Sequence, residues 1–360
     1  MNKIRVGILG ATGMVGQRFV TLLANHPWFE IVALAASPNS AGKTYREAVG
    51  TRWSMENDIP KNVAEIVVRD VRADIDKISD AVAVVFCALD LDKDVIQQIE
   101  IAYADRGVAV VSNNSAHRWT EDVPMIMPEV NPEHTALIDI QRKKRGWDTG
   151  LIAVKPNCSI QSYVSILSAL KEFRPKEVSV TSLQAISGAG KTFETWPEMV
   201  DNVIPLISGE EDKSEREPLK IWGILANDTI VHATTPSISA TCIRVPVSNG
   251  HMASVHVGFE KKPTKDQIIA AVRGYKNPIA TLGLPSAPKQ LITYLDAEDR
   301  PQTKLDRDLE RGMGISMGRL REDPHFGWQF VALSHNTLRG AAGGAVLVAE
   351  LLVSKGYILV

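Results

Sequence analysis

The chain has 360 residues, of which 44% are hydrophobic and 23% charged, and its 40 basic and 42 acidic side chains leave a net charge of -2. This length is enough for two domains, and the balanced charge argues against nucleic acid or an anionic membrane as a partner. No apolar run approaches the roughly 20 residues of a membrane span, and the N-terminus lacks the layout of a signal peptide. Cys87, Cys158 and Cys242 have neither paired C-x-x-C spacing nor the density of a disulfide scaffold, so we expect a reducing, cytoplasmic location.

The first segment predicts a strand, a glycine turn and a helix. Residues 3–9 alternate between apolar and polar and then become continuously apolar, and Gly10-Ala-Thr-Gly-Met-Val-Gly16 follows before a helical pattern. In this order the three parts are typical of a dinucleotide-binding motif, in which Gly10 permits the tight turn, Gly13 the approach of a pyrophosphate and Gly16 the packing of helix on strand. A turn with a purely structural role is the alternative.

The second predicted strand, residues 30–36, indicates which dinucleotide binds. Proteins that bind NAD usually end this strand with an acidic residue that hydrogen-bonds the ribose 2′-hydroxyl. Here Ser37-Pro-Asn-Ser40-Ala-Gly-Lys43 follows, with no carboxylate to repel a 2′-phosphate and with two hydroxyls and an ammonium that could hold one. We therefore predict NADP, and an ordinary polar loop is the alternative.

Two more strand and helix units follow, with strands near residues 81–87 and 107–112. Alternating elements of this kind predict an α/β fold, with a doubly wound parallel sheet and helices on both faces. Cys87, at the carboxyl end of its strand, should line the cofactor crevice. Arg118 follows the next strand at the same edge, where an arginine can bind an anion, although a solvated or salt-bridged side chain is an equally common outcome.

Cys158 lies where a strand gives way to a helix. The apolar run at residues 151–154 ends in Lys-Pro-Asn, and a helical pattern of apolar residues begins at Ile160. Unpaired N–H groups and the positive end of the helix dipole favour a thiolate at such a position, as a nucleophile requires. A buried cysteine that only fills space is the alternative.

Two glycine-containing runs lie in the second half of the chain. Ser187-Gly-Ala-Gly-Lys-Thr192 resembles a phosphate-binding loop, but that template requires glycine where Ala185 stands, so an NTPase is excluded. The small residues that follow Asn336 open the last predicted helix and would let a ligand approach the backbone.

His251 follows an Asn-Gly turn and precedes an alternating strand, so we expect it at the rim of a site and not in the core. A neutral imidazole with an ordinary pKa can take a proton from a thiol and return one to an alkoxide. A structural histidine is the alternative, and we expect His232 and His256 to be structural. Together with Cys158, His251 forms a candidate catalytic pair.

Five motifs together resemble the aspartate-semialdehyde dehydrogenase family. They are residues 10–16, Pro156-Asn-Cys-Ser159, Ser187-Gly-Ala-Gly190, Arg244-Val-Pro-Val-x-x-Gly-His251 and Asn336-Thr-Leu-Arg-Gly-Ala-Ala-Gly-Gly344. The resemblance runs nearly from end to end, and its style is that of the archaeal and fungal branch of the family.

The resemblance implies a role for each matching residue. Cys158 would be the nucleophile, His251 the acid and base, and Gln184 the residue that orients the thioacyl group. Arg244 would bind the substrate carboxylate. The substrate ammonium would be bound by Glu210, with Glu211 as the alternative, and phosphate by Lys213, Arg118 and Asn157. Cofactor contacts would come from Gly10, Thr12, Gly13, Met14, Val15, Ser37, Ser40, Lys43, Cys87, Ser187, Gly188 and Asn336.

The same resemblance implies the reaction and the assembly. Family members reduce L-aspartyl 4-phosphate to L-aspartate 4-semialdehyde and phosphate through a cysteine thioester, with NADP, in the biosynthesis of lysine, threonine, methionine and isoleucine. A Rossmann-type NADP-binding domain would comprise residues 1–157 and 338–360, and an α+β catalytic and dimerisation domain residues 158–337. We expect a homodimer or homotetramer, with no nucleic acid, membrane or metal as partner.

Related enzymes and other classes of protein are the alternatives. N-acetylglutamyl-phosphate reductase and malonyl-CoA reductase could share the glycine turn and the cysteine, but Arg244 ahead of His251 and Pro-Asn before Cys158 favour an aspartyl substrate. A non-catalytic NADP-binding regulator would have no use for an intact cysteine and histidine pair. A cysteine hydrolase would leave the dinucleotide motif without a role.

Overall fold

The computed structural model describes residues 3–359, which form two large sheets and a short hairpin. Met1, Asn2 and Val360, the ends of the expected NADP-binding domain, lie outside the described residues. None of the helices in residues 3–359 is long and apolar enough to span a membrane.

The first sheet is formed by the N-terminal part of the chain. Its strands are β1 (Ile4–Leu9), β2 (Phe29–Ala36), β3 (Arg69–Asp70), β4 (Val84–Cys87), β5 (Ala109–Ser112) and β6 (Leu151–Val154). Its helices are α1 (Met14–Leu23), α2 (Tyr45–Val49), α3 (Lys61–Ala64), α4 (Ile75–Ser79), α5 (Lys93–Ala104) and α6 (Leu137–Arg145). The strands are parallel, in the order β3-β2-β1-β4-β5-β6. The order reverses between β1 and β4, and nucleotides bind outside the carboxyl ends of the strands at such a reversal.

Side chains of the first sheet alternate between two hydrophobic layers. Phe86 faces α1, where Phe19 stacks on it with ring centroids 5.0 Å apart. Its neighbour Cys87 points into the other layer, which contains Ile96 of α5. Because both faces are covered by helices, the strands are nearly continuous apolar runs. The predicted doubly wound α/β fold is confirmed.

The second sheet follows in the chain. Its strands are β7 (Pro175–Gln184), β10 (Ser237–Arg244), β11 (His251–Phe259), β12 (Ile292–Leu295), β13 (Ile315–Asp323) and β14 (Gly327–Ser334), while β8 (Ile224–Ala226) and β9 (Thr229–Val231) form the hairpin. Its helices are α7 (Gln161–Ala169), α8 (Glu210–Ile221), α9 (Lys265–Arg273) and α10 (Thr303–Asp306). The strand order is β10-β7-β11-β14-β13-β12, with parallel and antiparallel pairs, as the predicted α+β region requires.

The two faces of the second sheet differ. Side chains of β7 and β11 such as Val180 and Val255 pack against α7 in a closed hydrophobic cluster. The intervening side chains, among them Thr181 and Ser254, are half-exposed. The last helix, α11 (Gly343–Ser354), leaves this region and packs in the hydrophobic layer of α1.

The register of the second sheet brings distant residues to one end of it. Arg244, the last residue of β10, pairs with Gln184, the last residue of β7. Met252 of β11 pairs with Leu183 of β7, so His251 begins β11 at the same end. In the first sheet, β6 ends just before the loop of Cys158.

Candidate active site

The loop between β6 and α7 presents Cys158. Asn157 shapes this loop, because its Oδ1 accepts the N–H of Ser159 at 2.7 Å and the Ser159 hydroxyl at 2.6 Å. Gly340 of the C-terminal segment lies against the loop, where a Cβ on it would be only 2.8 Å from the Cβ of Cys158. Cys158 is thus held from two sides and is partly exposed.

His251 contacts the cysteine, with its Nε2 3.5 Å from the Sγ of Cys158. The backbone N–H of Ala185 donates to Nδ1 at 3.1 Å, so Nε2 is the ring nitrogen that faces the sulfur. The prediction that His251 lies at a rim is wrong: the residue is fully buried, because it belongs to a central strand with β7 and β14 on either side. Its contact with Cys158 still makes it available for chemistry at the sulfur.

The thiol and imidazole are both uncharged near neutral pH. Burial, and after it the carboxylate of Glu210, raises the pKa of Cys158, although nearby cations oppose this shift. Burial and the guanidinium of Arg244 lower the pKa of His251 to about 3. The expected stabilisation of a thiolate by the helix start does not outweigh burial, since α7 begins only at Gln161.

Glu210, the first residue of α8, lies beside the nucleophile loop. Its carboxylate accepts the side-chain amide of Asn157 at 3.0 and 3.1 Å and the ammonium of Lys213 at 2.8 Å. Gln184 approaches the same carboxylate at 3.4 Å. Burial alone would raise the pKa of Glu210, but the Lys213 ammonium and the Asn157 amide hold it below its ordinary value. The site therefore contains an ionised acid next to the cysteine loop.

Glu211, the alternative to Glu210, is engaged elsewhere. Its Oε1 accepts the backbone N–H of Cys242 at 3.2 Å. Glu215, one turn further along, likewise accepts the N–H of Ala240 at 3.0 Å. These two carboxylates satisfy N–H groups of β10, which is an edge strand. Glu210 is thus the acid that faces the nucleophile loop.

Arg244 is buried close to His251. Its Nη1 donates to the carbonyl of Ala185 at 2.7 Å, and within residues 3–359 no carboxylate forms an ion pair with it. Gly188 lies between the two side chains, because a Cβ on it would be 2.8 Å from Nη1 of Arg244 and 3.1 Å from Nε2 of His251. A buried guanidinium with spare donors is suited to an incoming carboxylate.

Arg118 is buried and salt-bridged, which is one of the outcomes that the sequence left open. Its Nη1 donates to Oε1 of Glu217 at 2.8 Å, and its Nη2 approaches the carbonyl of Asn113 at 3.3 Å. Its Nε is buried and has no hydrogen-bond partner in the part of the chain that the structure describes. Nη1 and Nη2 each keep a second N–H, and the side chain is 7% exposed, so the edge of the guanidinium can still bind an anion.

Ser187, Gly188 and Asn336, predicted as cofactor contacts, lie around the catalytic pair. Asn336 donates from Nδ2 to the hydroxyl of Ser187 at 2.8 Å and accepts the N–H of Gly250 at 2.8 Å. Gly250 has a φ of 99°, a left-handed backbone that favours glycine, immediately before His251. Asn336 thus ties the C-terminal segment to the turn that carries the histidine.

The predicted dinucleotide turn borders a cavity of about 460 Å³ at the carboxyl ends of β1, β2 and β4, lined among others by Gly10, Thr12, Gly13 and Ser37. Gly10 has a φ of 84°, and a Cβ on it would be 2.3 Å from the carbonyl oxygen of Ala88. A Cβ on Gly16 would be 2.2 Å from the carbonyl oxygen of Gly10, so the helix packs directly on the turn. At Gly13, the N-cap of α1, a Cβ would be no closer than 3.6 Å to the Gly10 carbonyl oxygen, so there is room for a pyrophosphate, although the Gly13 N–H itself donates to Gly10 at 3.1 Å.

Four other predicted cofactor residues are not among those that line this cavity. Met14 and Val15 form the first turn of α1 and are half-exposed. Ser40 is buried, and Lys43 is exposed, with its ammonium on the carbonyl of Asn39 at 2.9 Å. Of the polar loop after β2, Ser37 and Pro38 border the cavity directly.

Cys87 lies beneath the crevice and does not line the cavity. Its side chain is fully buried, and Sγ accepts the side-chain amide of Asn114 at 3.2 Å. Burial raises the pKa of the Cys87 thiol well above its ordinary value. This cysteine is consequently a thiol of the hydrophobic layer.

Several charged residues near the site were missed by sequence reasoning, among them Asp70 and Asp90, which line the cofactor cavity. Arg52 and Arg72 border the cofactor cavity. Arg72 follows β3, a strand of two residues that is too short for a periodic signal. Glu217 lies on α8 two turns after Glu210, and this helical spacing was the signal that could have identified it.

Comparison with known proteins agrees with this geometry. Residues 5–138 match the family model for the semialdehyde dehydrogenase NAD binding domain, and residues 167–339 match that for the semialdehyde dehydrogenase dimerisation domain. Aspartate-semialdehyde dehydrogenase of Archaeoglobus fulgidus is 42% identical over 359 residues, which are 99% of this chain and 100% of the relative.

Solved structures lead to the same family. Aspartate-semialdehyde dehydrogenase from Candida albicans, crystallised with NADP, superimposes with a TM-score of 0.88 at 40% identity, over 99% of this chain and 100% of that one. Aspartate semialdehyde dehydrogenase II from Vibrio cholerae, complexed with ASA, has a TM-score of 0.75 at 26% identity, over 98% and 99% of the two chains. The archaeal and fungal similarity agrees with the branch predicted from the motifs. The chain therefore belongs to the aspartate-semialdehyde dehydrogenase family.

Proposed function

We propose that the protein is an NADP-dependent aspartate-semialdehyde dehydrogenase. It reduces L-aspartyl 4-phosphate to L-aspartate 4-semialdehyde and phosphate, and it catalyses the reverse reaction, in the biosynthesis of lysine, threonine, methionine and isoleucine. The observation that carries this proposal is the contact of Cys158 with His251 at 3.5 Å, with the carboxylate of Glu210 and the guanidinium of Arg244 nearby.

The charges near Cys158 match those of a short α-amino acid. Arg244, which has no carboxylate partner in residues 3–359, binds the substrate carboxylate with the planar fork of its guanidinium. Glu210 is ionised and binds the substrate ammonium. Fixing both ends of the molecule places its side-chain carbonyl carbon at the sulfur, which turns the attack into an effectively intramolecular step.

Cys158 divides the reaction into two easier transfers. In the oxidative direction the sulfur adds to the aldehyde carbon, and the thiol proton passes through Nε2 of His251 to the oxygen, which gives a thiohemiacetal. For Nε2 to accept this proton, the ring proton must lie on Nδ1, which then gives up its hydrogen bond from the Ala185 N–H. His251 then takes the hydroxyl proton as a hydride leaves the carbon, which gives a thioester on Cys158. NADP held in the crevice would accept this hydride, and the reduced cofactor would supply it in the biosynthetic direction. An imidazole with a pKa of about 3 holds the proton only briefly and releases it readily in the next step.

Phosphate completes the cycle. It attacks the thioester carbon, the carbon–sulfur bond breaks, and the sulfur of Cys158 regains a proton as the acyl phosphate forms. We assign phosphate binding to Lys213, Arg118 and Asn157, and we assign Gln184 to orienting the thioacyl group. Lys213 and Asn157 contact Glu210 at the mouth of the loop, and Arg118 keeps one buried donor without a partner among the described residues.

NADP is the cofactor that fits the crevice best. Gly10, Thr12 and Gly13 line the cavity, the first turn of α1 leaves N–H groups for the pyrophosphate, and β2 ends without an acidic residue that would repel a 2′-phosphate. Ser37 borders the same cavity, as do Arg52 and Arg72 and the acidic residues Asp70 and Asp90. The relative from Candida albicans was crystallised with NADP.

We also propose the assembly, the domain limits and the location. The half-exposed face of the second sheet would pair with a second copy to form a homodimer, itself able to pair into a tetramer. Residues 158–337 would form the catalytic and dimerisation domain, with the rest of the chain as the NADP-binding domain. Free thiols at Cys87, Cys158 and Cys242 suit a reducing cytoplasm.

A spectrophotometric assay tests the function. NADP reduction with aspartate semialdehyde and phosphate should be rapid, whereas NADPH oxidation with malonyl-CoA or with N-acetylglutamyl phosphate should be negligible. Preference for either of the latter substrates would move the protein to a related reductase. Binding of NADP without turnover of any of the three would instead support a non-catalytic regulator.

A further inference from the structure

Glu217 joins two loops of the site through one carboxylate. It lies on α8 and is fully buried. Its Oε1 accepts Nη1 of Arg118 at 2.8 Å, and its Oε2 accepts the backbone N–H of Asn157 at 2.6 Å. The first contact reaches the loop after β5, and the second reaches the loop that carries Cys158. The buried carboxylate of Glu217 therefore links the side chain of Arg118 to the loop that carries Cys158.

Helix α8 carries the polar groups of this arrangement on one face. Glu210, Lys213, Glu217 and Lys220 follow one another at intervals of three or four residues, which is the spacing of one helix face. Lys220 is buried, and its ammonium donates to the carbonyls of Arg118 at 2.7 Å and Val123 at 3.2 Å. Helix α8 thus contacts the loop after β5 at the side chain of Arg118, through Glu217, and at the backbone, through Lys220.

The ion pair orients the guanidinium. A buried arginine needs a counter-charge, and two hydrogen-bonded atoms of a planar group determine the directions of the others. With Nη1 on Glu217, the Nε of Arg118 is left buried and without a partner among residues 3–359. An unpartnered donor of a buried arginine is costly unless an anion or water meets it.

We propose that Glu217 is a positioning residue for the phosphate step, acting through Arg118 and through the Asn157 peptide. The inference rests on the proposed function, because the anion concerned is the phosphate that cleaves the thioester. Glu217 itself does not touch the substrate. It holds the guanidinium of Arg118 so that the remaining N–H groups of Nη1 and Nη2 meet the phosphate, and it holds the loop of Cys158 at a constant distance from that guanidinium.

The test uses Glu217→Gln, which keeps the shape of the side chain and one acceptor for the Asn157 N–H but removes the charge that orients Arg118. Because a displacement of about 1 Å can cost two orders of magnitude in rate, we expect the KM for phosphate to rise about tenfold or more, with the KM for aspartate semialdehyde nearly unchanged. Glu215→Gln is the matched control, since this acid of the same helix contacts Ala240 and not the site. It should leave both constants unchanged.

The split between the two Michaelis constants separates positioning from a structural role. Equal rises in both constants, or a phosphate KM that stays constant or falls because a negative charge has been removed, would overturn the proposal. If the glutamine variant does not fold, Glu217→Asp keeps the charge while shortening the side chain, and the same split is expected.

A second readout does not depend on turnover. Phosphate should protect Cys158 of the wild type from alkylation by iodoacetamide, and this protection should require more phosphate in Glu217→Gln. A wild type that is protected by phosphate but does not oxidise aspartate semialdehyde would refute the proposed function and leave the role of Glu217 standing. Equal protection in wild type and variant would refute the role of Glu217 alone.

Discussion

The cofactor crevice and the catalytic pocket are built in opposite ways. At its glycine turn, the crevice is formed by backbone from a short, continuous stretch, where Gly10 and Gly16 leave no room for a Cβ and Gly13 leaves space at the helix start. The pocket is formed by side chains that are far apart in the chain, such as Cys158 and His251, which are separated by 93 positions and lie 3.5 Å apart. A backbone site depends on local conformation, whereas a side-chain site depends on how separate elements pack.

The two sites also differ in how strongly their binding and reactive groups depend on the surrounding side chains. In the crevice, ligand recognition uses N–H groups that the helix start leaves unpaired whatever the surrounding side chains are. In the pocket, burial raises the pKa of Cys158 and lowers that of His251, so the reactivity of each group depends on the protein around it. The two sites should therefore respond independently to substitution.

Cys158→Ser should remove the chemistry of the catalytic pocket without changing cofactor binding in the crevice. Loss of the sulfur nucleophile should lower kcat by about 1000-fold or more, because the thioester can no longer form at a useful rate. NADP affinity, measured by fluorescence titration, should be unchanged. Cys242→Ser, which removes a buried thiol of β10, is the control and should retain most activity. Substantial turnover in the Cys158 variant would contradict the assignment.

Gly10→Ala should distort the cofactor crevice and leave the reactivity of the Cys158 thiol unchanged. A left-handed backbone at φ 84° and a Cβ 2.3 Å from the Ala88 oxygen should together cost about 3 kcal/mol of stability, with a loss of cofactor affinity. Gly42→Ala is the matched control, because it has a φ of 83° but open space around it, and should cost only about 1 kcal/mol. Urea unfolding and cofactor titration measure both effects. Equal losses in the two variants would show that the contact with Ala88 is unimportant.

Arg244→Lys should weaken the pocket without disabling its chemistry. A lysine keeps the charge but loses the planar fork, so the KM for aspartate semialdehyde should rise about 10- to 100-fold. The KM for NADP should stay the same, since the crevice is not affected. Arg216→Lys, on the exposed side of α8, is the control. An unchanged aldehyde KM in the Arg244 variant would remove this residue from carboxylate binding.

The pH dependence of Cys158 alkylation, measured without substrate, should show that burial in the pocket keeps the thiol uncharged at neutral pH. Because the pKa of Cys158 is raised, the thiolate fraction at neutral pH is smaller than in a free cysteine, and it grows only as pH rises above the ordinary cysteine range. His251, with a pKa of about 3, stays neutral from pH 5 to 9 and should add no inflection there. The iodoacetamide rate should therefore be slow at pH 7 and rise steadily with pH, with glutathione as the reference thiol. A fast rate that stays constant down to about pH 6 would instead indicate a thiolate and imidazolium pair.

Several parts of the site were predictable because their signals are local. The glycine turn, the missing acid after β2 and the position of Cys158 between a strand and a helix can each be recognised from neighbouring residues. His251 could be proposed from the Asn-Gly turn and the strand beside it, and the family motifs added Arg244. The structure brings these residues to one end of the second sheet, through the pairing of Arg244 with Gln184 and the start of β11 beside them.

Other parts depend on contacts that adjacent residues do not reveal. Glu210 and Glu211 are equivalent in the sequence, and only the hydrogen bond of Glu211 to the Cys242 backbone distinguishes them. Glu217 meets Arg118 across 99 positions and the Asn157 amide across 60, so no local pattern connects them. The burial of His251 was predicted wrongly for a similar reason, since its neighbours in the chain are polar but its neighbours in space are strands.

The order of residues was sufficient to determine the doubly wound nucleotide fold, the nucleotide turn and the family, and to propose Cys158 as the nucleophile, because each depends on backbone preferences or contiguous motifs. Folding in three dimensions decided which acid faces the cysteine, how far each ionisable group is removed from water, and which buried carboxylate orients Arg118. These properties arise from desolvation and from distances between separate elements. Both are set when the two sheets and α8 pack together, and neither is encoded at any one position of the chain.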